Sequence, residues 1–131
     1  MVLGLGDGGA HMSQLCDACH PTYLLGHWVR ERGALSLEEA VRRLSSHPAD
    51  VFGLHDRGRV APGLPADLVV FNPDRVGAGP LQRVYDLPAG QDRLISRPTG
   101  IEAVFVNGQR LGTQAQPAVG RLLRQRAESS A

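Results

Sequence analysis

The sequence predicts an α/β chain built in two parts, a strand and helices over residues 1–56 and then a small antiparallel β unit over residues 57–131. Three observations predict it. Apolar residues recur at helical spacing between Pro21 and Leu54, the apolar period changes to two past Asp56, and Asn107-Gly108 sits between two strand-like runs. With 131 residues, 42% of them hydrophobic, the chain can fill one modest domain or two sub-domains sharing a core.

Val2, Leu3 and Leu5 form a short apolar run broken by Gly6-Asp7-Gly8-Gly9, the pattern of a buried strand delivering its last side chain into a loop. From Pro21 to Arg32, the spacing of Leu24, Leu25, Trp28 and Val29 predicts a helix, with Pro21 in its first turn and Gly33 at its C-terminal cap. Ser36-Leu37-Glu38-Glu39 reads as a capping box, after which Leu37, Ala40, Val41 and Leu44 line one face. Pro48 opens a short helical turn that Gly53 closes.

Arg57 to Ala61 is strand-like, Pro62-Gly63 marks a turn, and Ala66 to Phe71 is a strongly apolar strand. Ile101 to Val106, Asn107-Gly108 and Gln109 to Leu111 predict a hairpin, because Asn-Gly suits the positive backbone angles of a type I′ turn. Residues 73–100 hold four of the nine prolines and several glycines, which predicts an irregular loop. From Gln114 the tail is polar apart from Leu122 and Leu123, and its end is expected to be mobile.

A formal charge of +1, from 14 basic against 13 acidic residues, offers no strong field for nucleic acid or an anionic membrane surface. No apolar stretch has the length needed to cross a bilayer, and Met1-Val2-Leu3-Gly4 lacks a signal segment, so a cytoplasmic protein is expected. Cys16 and Cys19 are too few and too close for a secreted disulfide framework and are expected to be reduced thiols.

Cys16-Asp17-Ala18-Cys19-His20 matches the pattern for covalent haem attachment. Attachment normally accompanies export, and Met1 and Met12 are poor distal ligands, so no haem is expected. A zinc site on the same pair lacks a second cysteine pair or a finger-like histidine pair. Asp7 lies at the end of an apolar strand before two glycines, which is the catalytic face if that strand belongs to a (β/α)8 barrel. From spacing alone, an Asx turn or helix cap is the commoner use of such a residue. His11 is a candidate metal or substrate contact by its nearness to Asp7, although a lone loop histidine is more often a solvated side chain; His27, His47 and His55 have no visible partner.

Three segments in order, Gly6-Asp7-Gly8-Gly9-Ala10-His11, Leu35 to Val41 with His47-Pro48-Ala49, and Arg57 to Phe71, resemble the end of a metal-dependent amidohydrolase. Val106-Asn107-Gly108 resembles the hairpin of that superfamily, and Asp86-Leu87-Pro88-Ala89-Gly90 and Gly120-Arg121-Leu122-Leu123-Arg124 resemble its D-aminoacylase (N-acyl-D-amino-acid deacylase) group. The resemblance covers nearly the full chain. It implies the last strand and helices of a (β/α)8 metal-dependent hydrolase barrel, followed by part of a small antiparallel β-sandwich domain. It also implies hydrolysis of the amide bond of N-acyl-D-amino acids or related amides.

Asp7 matches the aspartate after the eighth barrel strand, which in that family binds the metal or its water and shuttles the proton. Gly6 departs from the family, which usually has serine there. The family's H-x-H pair, its two further histidines and its metal-linked cysteine or acid are expected upstream of Met1. Zinc is therefore expected in the complete enzyme but not held stoichiometrically by this chain, which is expected to be inactive alone. Its expected partners are a small N-acyl amino acid substrate in the complete enzyme, and the missing N-terminal barrel or a second copy. The alternative is a non-catalytic β module that binds a partner or oligomerises.

Overall fold

The structure, a computed structural model, describes residues 2–3, 11–112 and 119–123. Of the expected first strand, Val2 and Leu3 lie outside any strand, and Leu5 to Gly9 fall outside the described residues. The same holds for most of the polar tail from Gln114.

Helix α1 spans His20–Tyr23 with Pro21 in its first turn, where the missing amide costs nothing. It runs directly into a π-wound segment, Leu24–Glu31, which Arg32 caps before Gly33 turns the chain at φ 58°. The wider winding is not visible in the apolar spacing; it shows in the Arg32 amide, which donates five residues back to the His27 carbonyl at 2.9 Å. Helix α2 spans Leu37–Leu44, and Ser36 Oγ accepts the Glu39 amide at 3.2 Å. Only that half of the expected capping box forms. The Glu39 carboxylate instead turns forward to Arg42 at 2.7 Å and Arg43 at 2.6 Å, and these hydrogen bonds pull its pKa down to about 2. Helix α3 spans Ser46–Val51, with Pro48 in its first turns.

Val76, Leu25 and Ala40 form the buried cluster, with Leu24, Val29, Leu37, Leu44, Phe71 and Ile101 packed around it. Ala40 is the centre of the α2 contact, so Leu37 and Leu44, one turn away on either side, share its face. Val41, one residue on, is rotated off that face and is exposed, contrary to the sequence expectation.

Strand β1 (Leu68–Phe71) pairs antiparallel with β4 (Ile101–Val106), matching Leu68 with Phe105 and Phe71 with Ile101. Asn107 and Gly108 turn the chain at φ 49° and 78°, as a type I′ turn requires, into β5 (Gln109–Arg110). Asp67 Oδ1 accepts the Asn107 amide at 2.7 Å and fixes the turn to the start of β1.

Two β expectations are corrected. Arg57 to Ala61 is not a strand: Gly58 has φ 79°, a left-handed backbone that no strand accommodates, and the Arg57 side chain bridges Asp56 and Asp67. Residues 73–100 are not an irregular loop. They contain β2 (Gly77–Val84) and β3 (Arg93–Thr99), an antiparallel ribbon whose connection includes a short 3₁₀ turn at Pro88–Gly90. The prolines fit because both strands of a two-stranded ribbon are edges, and Pro80 lies where the register shifts between Ala78 and Leu81. Among the described residues, no helix is long and apolar enough to cross a membrane.

Candidate active site

Asp7, the residue expected to carry the chemistry, lies outside the described residues. The segment that follows it is described from His11, whose backbone adopts φ 48°, a left-handed turn geometry in which histidine is enriched. The His11 carbonyl accepts the amides of Gln14 at 2.7 Å and Leu15 at 3.0 Å, closing a tight turn, and the residue is exposed.

That turn is fastened to the β2–β3 ribbon. The Leu94 amide donates to the Met12 carbonyl at 2.8 Å, and the Arg83 guanidinium donates to the Ser13 carbonyl at 3.1 Å while also pairing with Asp92. Sequence reasoning missed these residues because it treated 73–100 as irregular. The available signal was charge placement: Arg83 with Asp92 and Asp86 with Arg93 flank the Leu87-Pro88-Ala89-Gly90 turn as opposite-charge pairs across two strands. Arg93 grips Asp86 through two bonds of 2.7 Å and holds its carboxyl below the usual carboxylate range.

The other histidines and the thiols stand apart from His11 as a ligand set. His27 stacks on Tyr23, with ring centroids 4.9 Å apart, meets the Trp28 edge and lies 2.9 Å from Glu31 Oε2. His20 Nδ1 is buried without a partner, and Cys16 and Cys19 are half-buried free thiols. Among the described residues, no group of three His, Cys, Asp or Glu side chains is placed to hold a metal ion. These residues therefore do not by themselves fit a zinc site, which normally needs three protein ligands. What they do form is a support: a helix after the loop, a ribbon beside it, and Arg30 donating to the carbonyls of Pro73 at 3.3 Å and Val76 at 2.5 Å to lock the two together.

The profile of the amidohydrolase family (Amidohydro_3) matches residues 2–111. The chain belongs to the amidohydrolase family. It is 45% identical over 108 residues to an N-acyl-D-glutamate deacylase of Alcaligenes xylosoxydans xylosoxydans, covering 81% of this chain and 20% of that protein. It is 38% identical over 85 residues to a D-aminoacylase of the same organism, covering 65% of this chain and 16% of that one. A crystal structure of N-acyl-D-glutamate deacylase from Bordetella bronchiseptica, complexed with zinc and a phosphonate inhibitor, superposes with a TM-score of 0.58 at 36% identity. That match covers 76% of this chain and 19% of the other. As an amidohydrolase-family chain it combines helices with antiparallel sheet, and it spans about a fifth of the length of the relatives it matches.

Proposed function

We propose that these residues are the C-terminal part of a zinc-dependent amidohydrolase that hydrolyses the amide bond of N-acyl-D-amino acids. In this reading, residues 1–56 complete a (β/α)8 barrel and residues 57–131 contribute to a small β-sandwich beside it. The observation that carries the reading is the 45% identity to N-acyl-D-glutamate deacylase over 81% of the chain. The likeness to a deacylase crystallised with zinc supports it.

Asp7 is the general base in this reading: its carboxylate takes the proton of the attacking water and returns it to the leaving amine. His11, four residues on, contacts the substrate from the turn that the ribbon holds in place. Zinc belongs to the complete enzyme, where Asp7 binds it or its water and the further ligands are supplied by polypeptide beyond these 131 residues, and the chain alone is inactive.

The β1–β4 sheet is consistent with a missing cover. Val69 and Val70, adjacent and therefore on opposite faces, are 56% and 43% exposed, so both faces of β1 are open to a packing partner. In the complete protein that partner is the remainder of the same polypeptide; for the isolated chain it is a second copy. We place the enzyme in the cytoplasm.

The test compares the 131-residue chain with an extended polypeptide carrying the upstream H-x-H segment, assaying zinc content and release of D-glutamate from its N-acyl derivative. The extended protein should hold zinc and hydrolyse the substrate, and the short chain should do neither. Stoichiometric zinc and hydrolysis by the short chain would refute the incomplete-site reading, and an inactive, correctly folded, zinc-loaded extended protein would refute the deacylase assignment.

A further inference from the structure

We propose that Cys16 and Cys19 are a redox-active dithiol that closes into an intramolecular disulfide across the turn preceding α1, with a low-molecular-weight disulfide as oxidant. The inference concerns a site outside the proposed hydrolytic chemistry, and it stands whether or not Asp7 is catalytic.

These 131 residues hold two cysteines, separated by two residues, so each is the other's nearest thiol in sequence. Both are free and half-buried, which leaves them within reach of a small reagent. The Cys19 thiol already points back along the turn, donating to the Cys16 carbonyl at 3.6 Å. The His20 amide donates to the Asp17 carbonyl at 3.1 Å and tightens the bend between the two cysteines.

Both flanks are anchored. Downstream, the Cys19 carbonyl accepts the Tyr23 amide at 2.9 Å and the Thr22 hydroxyl at 3.0 Å. Upstream, the His11 turn ties Leu15 to His11, and Met12 to Leu94 on the ribbon. The entropy of bringing the two sulfurs together is thus largely spent on folding, which raises the effective concentration of one thiol at the other.

The chemistry balances as two exchanges. Cys16, as its thiolate, attacks one sulfur of the small disulfide and expels one small thiolate. Cys19, deprotonated, then attacks the Cys16 sulfur of the mixed disulfide, forming the Cys16–Cys19 bond and expelling the second small thiolate. The protein loses two protons and two electrons, and the small disulfide is reduced to two thiols.

The experiment exposes the folded 131-residue chain to oxidised glutathione, blocks the remaining thiols with an alkylating reagent, and reads the intact mass and the tryptic peptides. The expected product has lost two hydrogens, carries neither glutathione nor alkyl group, yields a peptide with Cys16 joined to Cys19, and returns to two thiols under a dithiol reductant. Cys16→Ser and Cys19→Ser should each instead retain one glutathione as a stable adduct, since the resolving thiol is gone. Three results would overturn the proposal: stable glutathione adducts on both cysteines of the unsubstituted chain, disulfide-linked dimers as the main product, or two thiols that stay unmodified when folded yet react fully in denaturant.

Discussion

The two β units of this chain are held by different forces. The β1–β4–β5 sheet rests on its backbone ladder and a local turn, and its apolar edge strand β1 leaves Val69 and Val70 open to solvent on opposite faces. The β2–β3 ribbon is anchored at its base, where Val76 is fully buried against Leu25 and Ala40, and is tied along its outer half by the Arg83–Asp92 and Arg93–Asp86 pairs. A strand need not look like one in its sequence when burial at one end and charge pairing at the other position it. The strand that does look apolar can still lack its cover.

The buried end should dominate stability. Val76→Ala removes two methyl groups from the fully buried centre of the cluster and should cost about 2 kcal/mol in denaturant unfolding. A loss below a few tenths of a kcal/mol would mean that the ribbon base is not part of the core.

The sheet should be more sensitive at its turn than at its exposed valines. Gly108 has φ 78°, where a β-branched residue is strained, so Gly108→Val should destabilise the chain by about 1 kcal/mol or more. Val69→Thr, on an open face, should change stability by about 0.5 kcal/mol or less in the isolated chain. Equal effects at the two positions would erase the contrast.

The smallest effect belongs to the ribbon tip. Asp86 is held below its ordinary pKa first by its hydrogen bonds to Arg93, so it binds its proton less readily folded than unfolded. Its contribution is complete above the unfolded carboxylate range and is lost as pH falls through that range toward the folded value. Amide protection at β3, measured relative to the intrinsic exchange rate at each pH, should fall in that acid window, high salt should mute the change, and Asp86→Asn should remove it. An unchanged acid response in Asp86→Asn would assign the effect to another group.

The helices and the Asn107-Gly108 hairpin were legible because their signals are local: apolar spacing, Ser36 before Glu39, and a turn dipeptide whose backbone angles are restricted. The ribbon was not, because Pro80 and Pro98 mimic loop composition and Val76 gains its role only from Leu25, distant in sequence. The π winding of Leu24–Glu31 was likewise invisible to a pattern that registers only which face is apolar. For the candidate site, the sequence pointed to Asp7 and His11, while the ties that hold the His11 turn, from Arg83 and the Leu94 amide, depend on long-range hydrogen bonds that no short motif encodes.

In the proposed function, Asp7 supplies the base of an amide hydrolase whose remaining site lies elsewhere in the polypeptide. Asp7→Asn in the extended, zinc-loaded protein keeps the shape of the side chain but removes the proton acceptor. If Asp7 is that base, kcat on an N-acyl-D-amino acid falls by at least about 10²-fold, with the thermal unfolding transition little changed. An Asp7→Asn enzyme that folds, retains zinc and turns over at the original rate would contradict it.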